Sequence, residues 1–178
     1  MAKPKDLAQE LLWRGIRHQR IRNEVLESPA WAALGWSSRA LYLDLRAKLN
    51  KFNNGNVEAT LACLKDRGWS SPATLSAALR ELEGAGLIAK TRQGGIASLS
   101  KVCSLYRFTD LPVFEQKNKH HQISEMEMTF DYRKFQSVEE AKQAIAEFVG
   151  EQKQLNQRGT KAAVSIEEAR RKRKLQIA

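Results

Sequence analysis

The chain has 178 residues, 42% of them apolar, a formal net charge of +10 and two cysteines. That length suits one domain with appendages or two small ones, and the apolar share is enough for one core. No segment is long and apolar enough for a membrane span, and the N-terminal MAKPKDLAQELLWRG lacks the apolar run of a signal peptide.

Cys63 and Cys103 have neither CxxC spacing nor a nearby histidine cluster, which points to a reducing compartment with both thiols buried or idle. The charge is unevenly placed. Residues 1–26 carry six Lys/Arg against three acids, residues 37–110 eleven against six, residues 111–160 seven against eight, and the tail from Lys161 six against two. A basic middle with basic ends fits a polyanion, nucleic acid first. The plain alternative is a basic protein that is merely soluble.

Residues 6–26 read as a basic helical arm. Leu7, Leu11, Leu12, Ile21, Val25 and Leu26 lie among polar neighbours, with Arg14, Arg17, Arg20 and Arg22 along it and Gly15 weakening its middle. Ser28-Pro29 starts a short helix, the serine capping and the proline sitting where no N–H is needed; it ends near Gly35. Ser37 opens SSRALYLDLRAKLNKF, whose Leu41, Leu45 and Leu49 form a buried stripe. Asn53-Asn54-Gly55 makes a tight turn, and GNVEA reads as a small strand. Thr60 opens TLACLKDR, which Gly68 closes. Ser71 caps and Pro72 begins the next helix, with Leu75, Ala78, Leu79 and Leu82 inward and Gly84 and Gly86 at its end. LIAKTRQ as a strand, Gly94-Gly95 as a turn and KVCSLYRFT as a returning strand make a hairpin.

Beyond Leu111 the pattern thins. LPVFEQKNKHHQISEMEMTFDYRKF has no steady period, though EMEMTF alternates as a short strand would. Ser137 with Glu140 forms a capping box. Val138, Ala141, Ile145, Phe148 and Leu155 follow at helical steps, a seam that packs on the core domain or on a second copy. Fewer than three clean heptads favour packing within the chain. Asn156 to Thr160 reads as a linker, and Ser165 with Glu168 as a second capping box before the basic EARRKRKLQIA.

Residues 37–110 thus run helix, small strand, helix, tight turn, helix, strand, glycine tip, strand. That is the order of a winged helix-turn-helix. The expected fold is mainly α with a small β-hairpin, an α+β class. Its parts are a basic N-terminal helical arm over 1–26, a winged helix-turn-helix domain over 27–110, an irregular or short-strand connector over 111–136, and a helical extension with a basic tail over 137–178. ESPAW (27–31), SSRALYLDL (37–45), NNG (53–55), RGWSSPATLSAALRELEGAGLI (67–88), TRQGG (91–95) and LYRFT (105–109) carry a resemblance to winged helix-turn-helix proteins of proteobacterial phages, plasmids and integrated elements, replication-initiator-like or regulator-like. The resemblance covers somewhat under half of the chain. It implies a recognition helix at 71–83, a wing tip near Gly94, double-stranded DNA as partner, and a bacterial cytoplasmic location on nucleoid or plasmid.

With Leu75 at the centre of the buried face, steps of 100° per residue put Ala73, Ala77, Arg80 and Gly84 opposite, and Thr74 to one side. Small residues let a helix approach base edges in a major groove. Thr74 and Arg80 are the expected readers, while Lys65, Arg67, Lys90, Arg92, Lys101 and Arg107 are the expected phosphate contacts. Ser70, Ser71, Gln93, Gly94 and Gly95 complete the candidate DNA surface. Each has a plainer reading: small residues also suit a helix packed on protein, Arg80 suits open solvent, and Lys65 and Arg67 suit a helix C-terminus.

Chemistry is not expected. His120 and His121 are adjacent and so point to opposite faces of a strand; His18 stands alone, and no ligand set recurs at helical spacing. No phosphate-binding loop of the GxxxxGK[ST] type occurs. Glu125, Glu127 and Asp131 read as a solvated edge, Tyr42 and Tyr106 as core members, and no nucleophile is paired with a base. The expectation is therefore a non-enzymatic protein without metal or cofactor. It binds specific duplex DNA as a mobile-element replication or transcription factor. Two alternatives stand beside it: an interaction module docked on a larger nucleoprotein complex or a homodimer through residues 137–155, and a non-specific DNA coat built on the basic ends.

Overall fold

The structure, a computed structural model, describes residues 18–50, 52–97, 100–118 and 121–155. The class is α+β. The chain enters through an extended strap over residues 18–22 rather than the helix expected there. The Gln19 side chain donates to the Leu49 carbonyl, and the Arg20 carbonyl accepts from the Arg46 guanidinium, which holds the strap extended across the next helices. The rest of the expected arm, residues 6–17, lies outside the described residues, as do the expected linker and the second capping box.

Helix α1 is Asn23–Leu26 and α2 is Pro29–Ala33, with the Ser28 hydroxyl accepting from the Trp31 N–H. Helix α3, Trp36–Ala47, starts one residue before the expected Ser37 and has Gly35 as its N-cap. Ser38 is buried instead and donates to the Glu81 carboxylate at 2.6 Å, tying α3 to a later helix. Leu41, Leu45 and Leu49 are buried as their spacing predicts. Gly55, at φ +94°, makes the turn into β1, Val57–Glu58. Helix α4, Leu61–Leu64, is capped by Thr60 and tightens into a 3-10 turn at Lys65–Arg67. Gly68, at φ +90°, ends it.

Helix α5, Pro72–Gly84, is capped by Ser71 and buries Leu75, Ala78 and Leu82. Strand β2, Ile88–Arg92, follows. The hairpin does not turn at Gly94-Gly95. The chain bulges between Lys90 and Arg92 and continues into β3, Gly95–Ala97, which pairs with β4, Ser100–Val102. A Cβ at Gly94 would sit 2.6 Å from the Ser104 backbone nitrogen, so this glycine serves the close approach of two strands. Strand β5, Leu105–Phe108, then enters the centre of an antiparallel sheet of order β1-β5-β2. The small strand expected at GNVEA thus joins the hairpin strands in one sheet, and the β3–β4 pair is additional.

Residues 111–136 are better ordered than expected. Strands β6, Gln116–Asn118, and β7, His121–Ile123, form a second hairpin, and Val113 bridges Met126. EMEMTF forms no strand beyond that bridge. Its Thr129 and Phe130 N–H groups both donate to the Thr109 carbonyl, which bends the segment over the sheet instead. A 3-10 turn at Asp131–Lys134 leads to helix α6, residues 138–155, capped by Ser137. Glu140 reaches back to the Gln136 N–H. Ala141 and Ile145 of α6 are buried in the same core as α3, α5 and the sheet, so the seam packs within the chain. Leu155, the last described residue, is exposed.

One ion pair sits inside this core. Arg46 and Asp110 are each 2% exposed and make two 2.7 Å bonds. The guanidinium lies over the Phe108 ring at 4.9 Å and the Tyr42 ring at 5.7 Å. Tyr42 and Tyr106 are core members, as expected. Among the described residues, no helix is long and apolar enough to cross a membrane.

Candidate nucleic-acid interface

Three fixed points set the orientation of α5. Its N-terminal turn is held by the Ser71 cap and by Asp44 of α3, which accepts from the Trp69 indole at 2.8 Å and from Arg67 at 3.1 Å. Its middle is held by Glu81, which takes the Ser38 hydroxyl and the Gly35 N–H. Its C-terminal end lies under α6, where a Cβ on Gly84 would come within 3.1 Å of the Ile145 Cα. Between these anchors Ala73, Thr74 and Ala77 are exposed. The lean face predicted from sequence is open over the first turns of α5. It is shorter than expected, because Gly84 is buried beneath α6 and Arg80 is half-buried.

The cations around this face divide. Lys65 is exposed. Arg67 is paired with Asp44, but its side chain stays 41% exposed. Lys90 pairs with Glu83 at 3.2 Å. Burial pushes the Glu83 carboxyl above its ordinary range, against the opposing pull of Lys90 and Arg80. Arg92 donates to the Cys103 carbonyl across the bulge, which stiffens the base of the hairpin. Gln93 and Gly95 are exposed, while the Gly94 N–H donates to the Ser104 hydroxyl. Lys101 lies on β4 opposite Ile96; its side chain is outside what is described. Ser70 is exposed beside the helix start, whereas the Ser71 hydroxyl is taken by the Thr74 N–H.

Arg107 belongs elsewhere. It stands opposite Ala89 in the sheet, on the face covered by residues 129–131. It is buried, donates to the Thr129 hydroxyl and faces Asp131 at 3.9 Å. A position on a hairpin strand does not fix exposure; the register does. Of the two readings of the thiols, buried or idle, burial does not hold for Cys63, which is exposed. Partial burial raises its thiol pKa, but hydrogen bonds from Lys48 and Thr60 outweigh this and hold it below the ordinary value. Burial, with the nearby Glu83 charge, pushes the Tyr106 hydroxyl up to about 12.

Sequence reasoning missed two exposed aromatic features and one small buried cluster. Trp36 is 83% exposed with the Arg39 guanidinium 5.0 Å above its ring. Phe52 and Phe114 pair edge to face at 5.9 Å on the surface. The β6–β7 hairpin stands beside the base of β5, where Val113 and Ile123 pack on Leu105. Neither the phenylalanine pair nor the hairpin cluster lies in a periodic run, so hydropathy patterning gave no signal for them.

No family model matches the chain, and neither a curated protein nor a solved structure matches it.

Proposed function

We propose that the region from α3 to β5 is a winged helix-turn-helix that binds specific duplex DNA, with α5 in the major groove and the β2–β5 hairpin, extended by β3 and β4, as its wing. The observation that carries this reading is the open surface of Ala73, Thr74 and Ala77 on a helix anchored at both ends. An exposed helix face in a globular protein is ordinarily polar and charged. A face limited to methyl and hydroxyl groups suits close approach to base edges. The element order and the sheet order β1-β5-β2 support it, as does the net charge of +10. In this role Thr74 and Arg80 read bases, and Lys65, Arg67 and Arg92 with the exposed Gln93 and Gly95 hold phosphates. A part in replication or transcription of a mobile element, in a bacterial cytoplasm, is the biological form of the same proposal.

The test is selection of bound duplexes from a random pool at near-physiological salt. The reading expects an enriched consensus and an affinity that falls log-linearly with salt. A palindromic consensus would also indicate binding as a dimer. Binding without enrichment would replace the reading with non-specific coating.

A second reading has its own observation. Lys90 and Arg92 are engaged by Glu83 and the Cys103 carbonyl, while Trp36 and Leu43 lie exposed along α3. These favour an interaction module within a larger nucleoprotein complex. A protein partner retained after nuclease treatment, with no duplex affinity, would support it.

A further inference from the structure

Helix α3 is apolar on two opposite sides. Leu41, Tyr42 and Leu45 face the core and are buried. Steps of 100° per residue gather Trp36, Ala40, Leu43 and Ala47 within about 60° of one another on the far side. Trp36 is 83% exposed and Leu43 49%, while Ala40 is exposed and Ala47 half-buried. The four follow at steps of four, three and four residues, the spacing by which one helix packs along another. The outward side of a surface helix is ordinarily polar and charged. Here the charges that border the stripe are turned to partners in their own chain. Arg39 lies over the Trp31 and Trp36 rings, at 5.8 and 5.0 Å, and donates to the Ala32 carbonyl at 3.0 Å. Asp44, on the other border, accepts from the Trp69 indole and from Arg67.

Large and small side chains alternate along the stripe. Laid parallel on its own copy, it would set Trp36 on Trp36 and Ala40 on Ala40, and the alanine layers would lack contacts. Turned end for end, Trp36 meets Ala47 of the second copy and Leu43 meets its Ala40, so each layer sets a large side chain against a small one. A polyanion would find the stripe uncharged, with Arg39 committed to its own chain. We propose that the outward stripe of α3 binds a second copy of this chain, antiparallel, about a twofold axis that passes between Ala40 and Leu43. Helix α3 has 12 residues, about 18 Å of length. Trp36 covers on the order of 200 Å². Two such stripes fall short of the roughly 1,200 Å² where stable interfaces begin. The dimer is therefore a reversible one, dissociating at about 10 μM to 1 mM. The proposal does not depend on DNA binding.

Sedimentation equilibrium of the full-length chain without nucleic acid, loaded from about 1 μM to 1 mM, tests it. The average mass should climb from one chain toward two. Leu43→Glu and Trp36→Glu should each weaken association by about tenfold or more, with denaturant midpoints close to that of the wild type because both positions face outward. For the direction of pairing, in a Cys63→Ser background, Trp36→Cys mixed with Ala47→Cys should cross-link on oxidation, whereas Trp36→Cys alone should not. One chain's mass at every concentration assigns the stripe to a different partner and overturns the proposal. A dimer that both glutamate variants leave intact, or Trp36→Cys cross-linking to itself, overturns it as well.

Discussion

Replacing Asp110 by Asn removes one charge from a pair that has no access to water. Arg46 would keep its guanidinium at 2% exposure, with the Arg20 carbonyl as its remaining strong acceptor and its Nε already unpartnered among the described residues. Breaking a buried pair on one side costs about 3–5 kcal/mol, because the surviving charge stays desolvated. For a chain of this size 1 kcal/mol shifts Tm by about 2–4 °C, so the expected fall is about 10 °C. Asparagine keeps one oxygen acceptor, which places the cost toward the lower end of that range. The assay is denaturant unfolding of Asp110→Asn and of Arg46→Met/Asp110→Leu. The double variant should recover most of the loss, since the pair itself adds little over well-packed apolar groups. A cost below about 1 kcal/mol for Asp110→Asn would mean that the pair behaves like a surface one, and the account of this core would be wrong.

The two left-handed glycines that flank α5 should differ. A Cβ at Gly86 would meet the Asp131 backbone at 2.7 Å, whereas at Gly68 nothing lies within 4 Å. Gly68→Ala should cost about 1 kcal/mol of backbone strain, and Gly86→Ala distinctly more, as read by denaturant midpoints. Equal costs would show that the 131–134 turn does not press on Gly86. Glu24 is held below the ordinary glutamate range by its hydrogen bonds from Arg133, so the stability it contributes is present above its unfolded pKa and is lost as pH falls through its folded value. Glu24→Gln should flatten the decline of Tm between about pH 5 and pH 3 at low salt; an unchanged profile would count against the tether. Ala77→Glu should leave Tm within the small range usual for surface changes and abolish duplex binding, because a carboxylate would face the groove. Retained binding by a folded Ala77→Glu protein would exclude α5 as the reading element.

Four helix starts were legible because caps are local chemistry. Ser28-Pro29, Thr60, Ser71-Pro72 and Ser137 with Glu140 each satisfy orphan N–H groups within one turn, and each caps as read. The stripes Leu41, Leu45 and Leu75, Ala78, Leu82 were legible for the same reason: periodicity marks the face that meets the core. What failed depended on distant segments. Gly94 looked like a turn, but its need is a neighbouring strand ten residues away. Gly84 looked solvent-facing because the helix that covers it lies sixty residues downstream. Arg107 looked like a phosphate contact because nothing near it in sequence shows that residues 129–131 close over its face. At the candidate interface the bare face of α5 was readable from spacing alone, whereas the engagement of Lys90 and Arg92 was not.

The proposed contact of α5 with DNA is tested most directly by backbone chemical-shift mapping of the full chain with a duplex taken from the random-pool selection. The account predicts the largest shifts over residues 72–80 and the β2–β5 hairpin, with the buried face of α6 unmoved. Shifts confined to the basic termini or to the Trp36 side of α3, with residues 72–80 unperturbed at saturation, would contradict it.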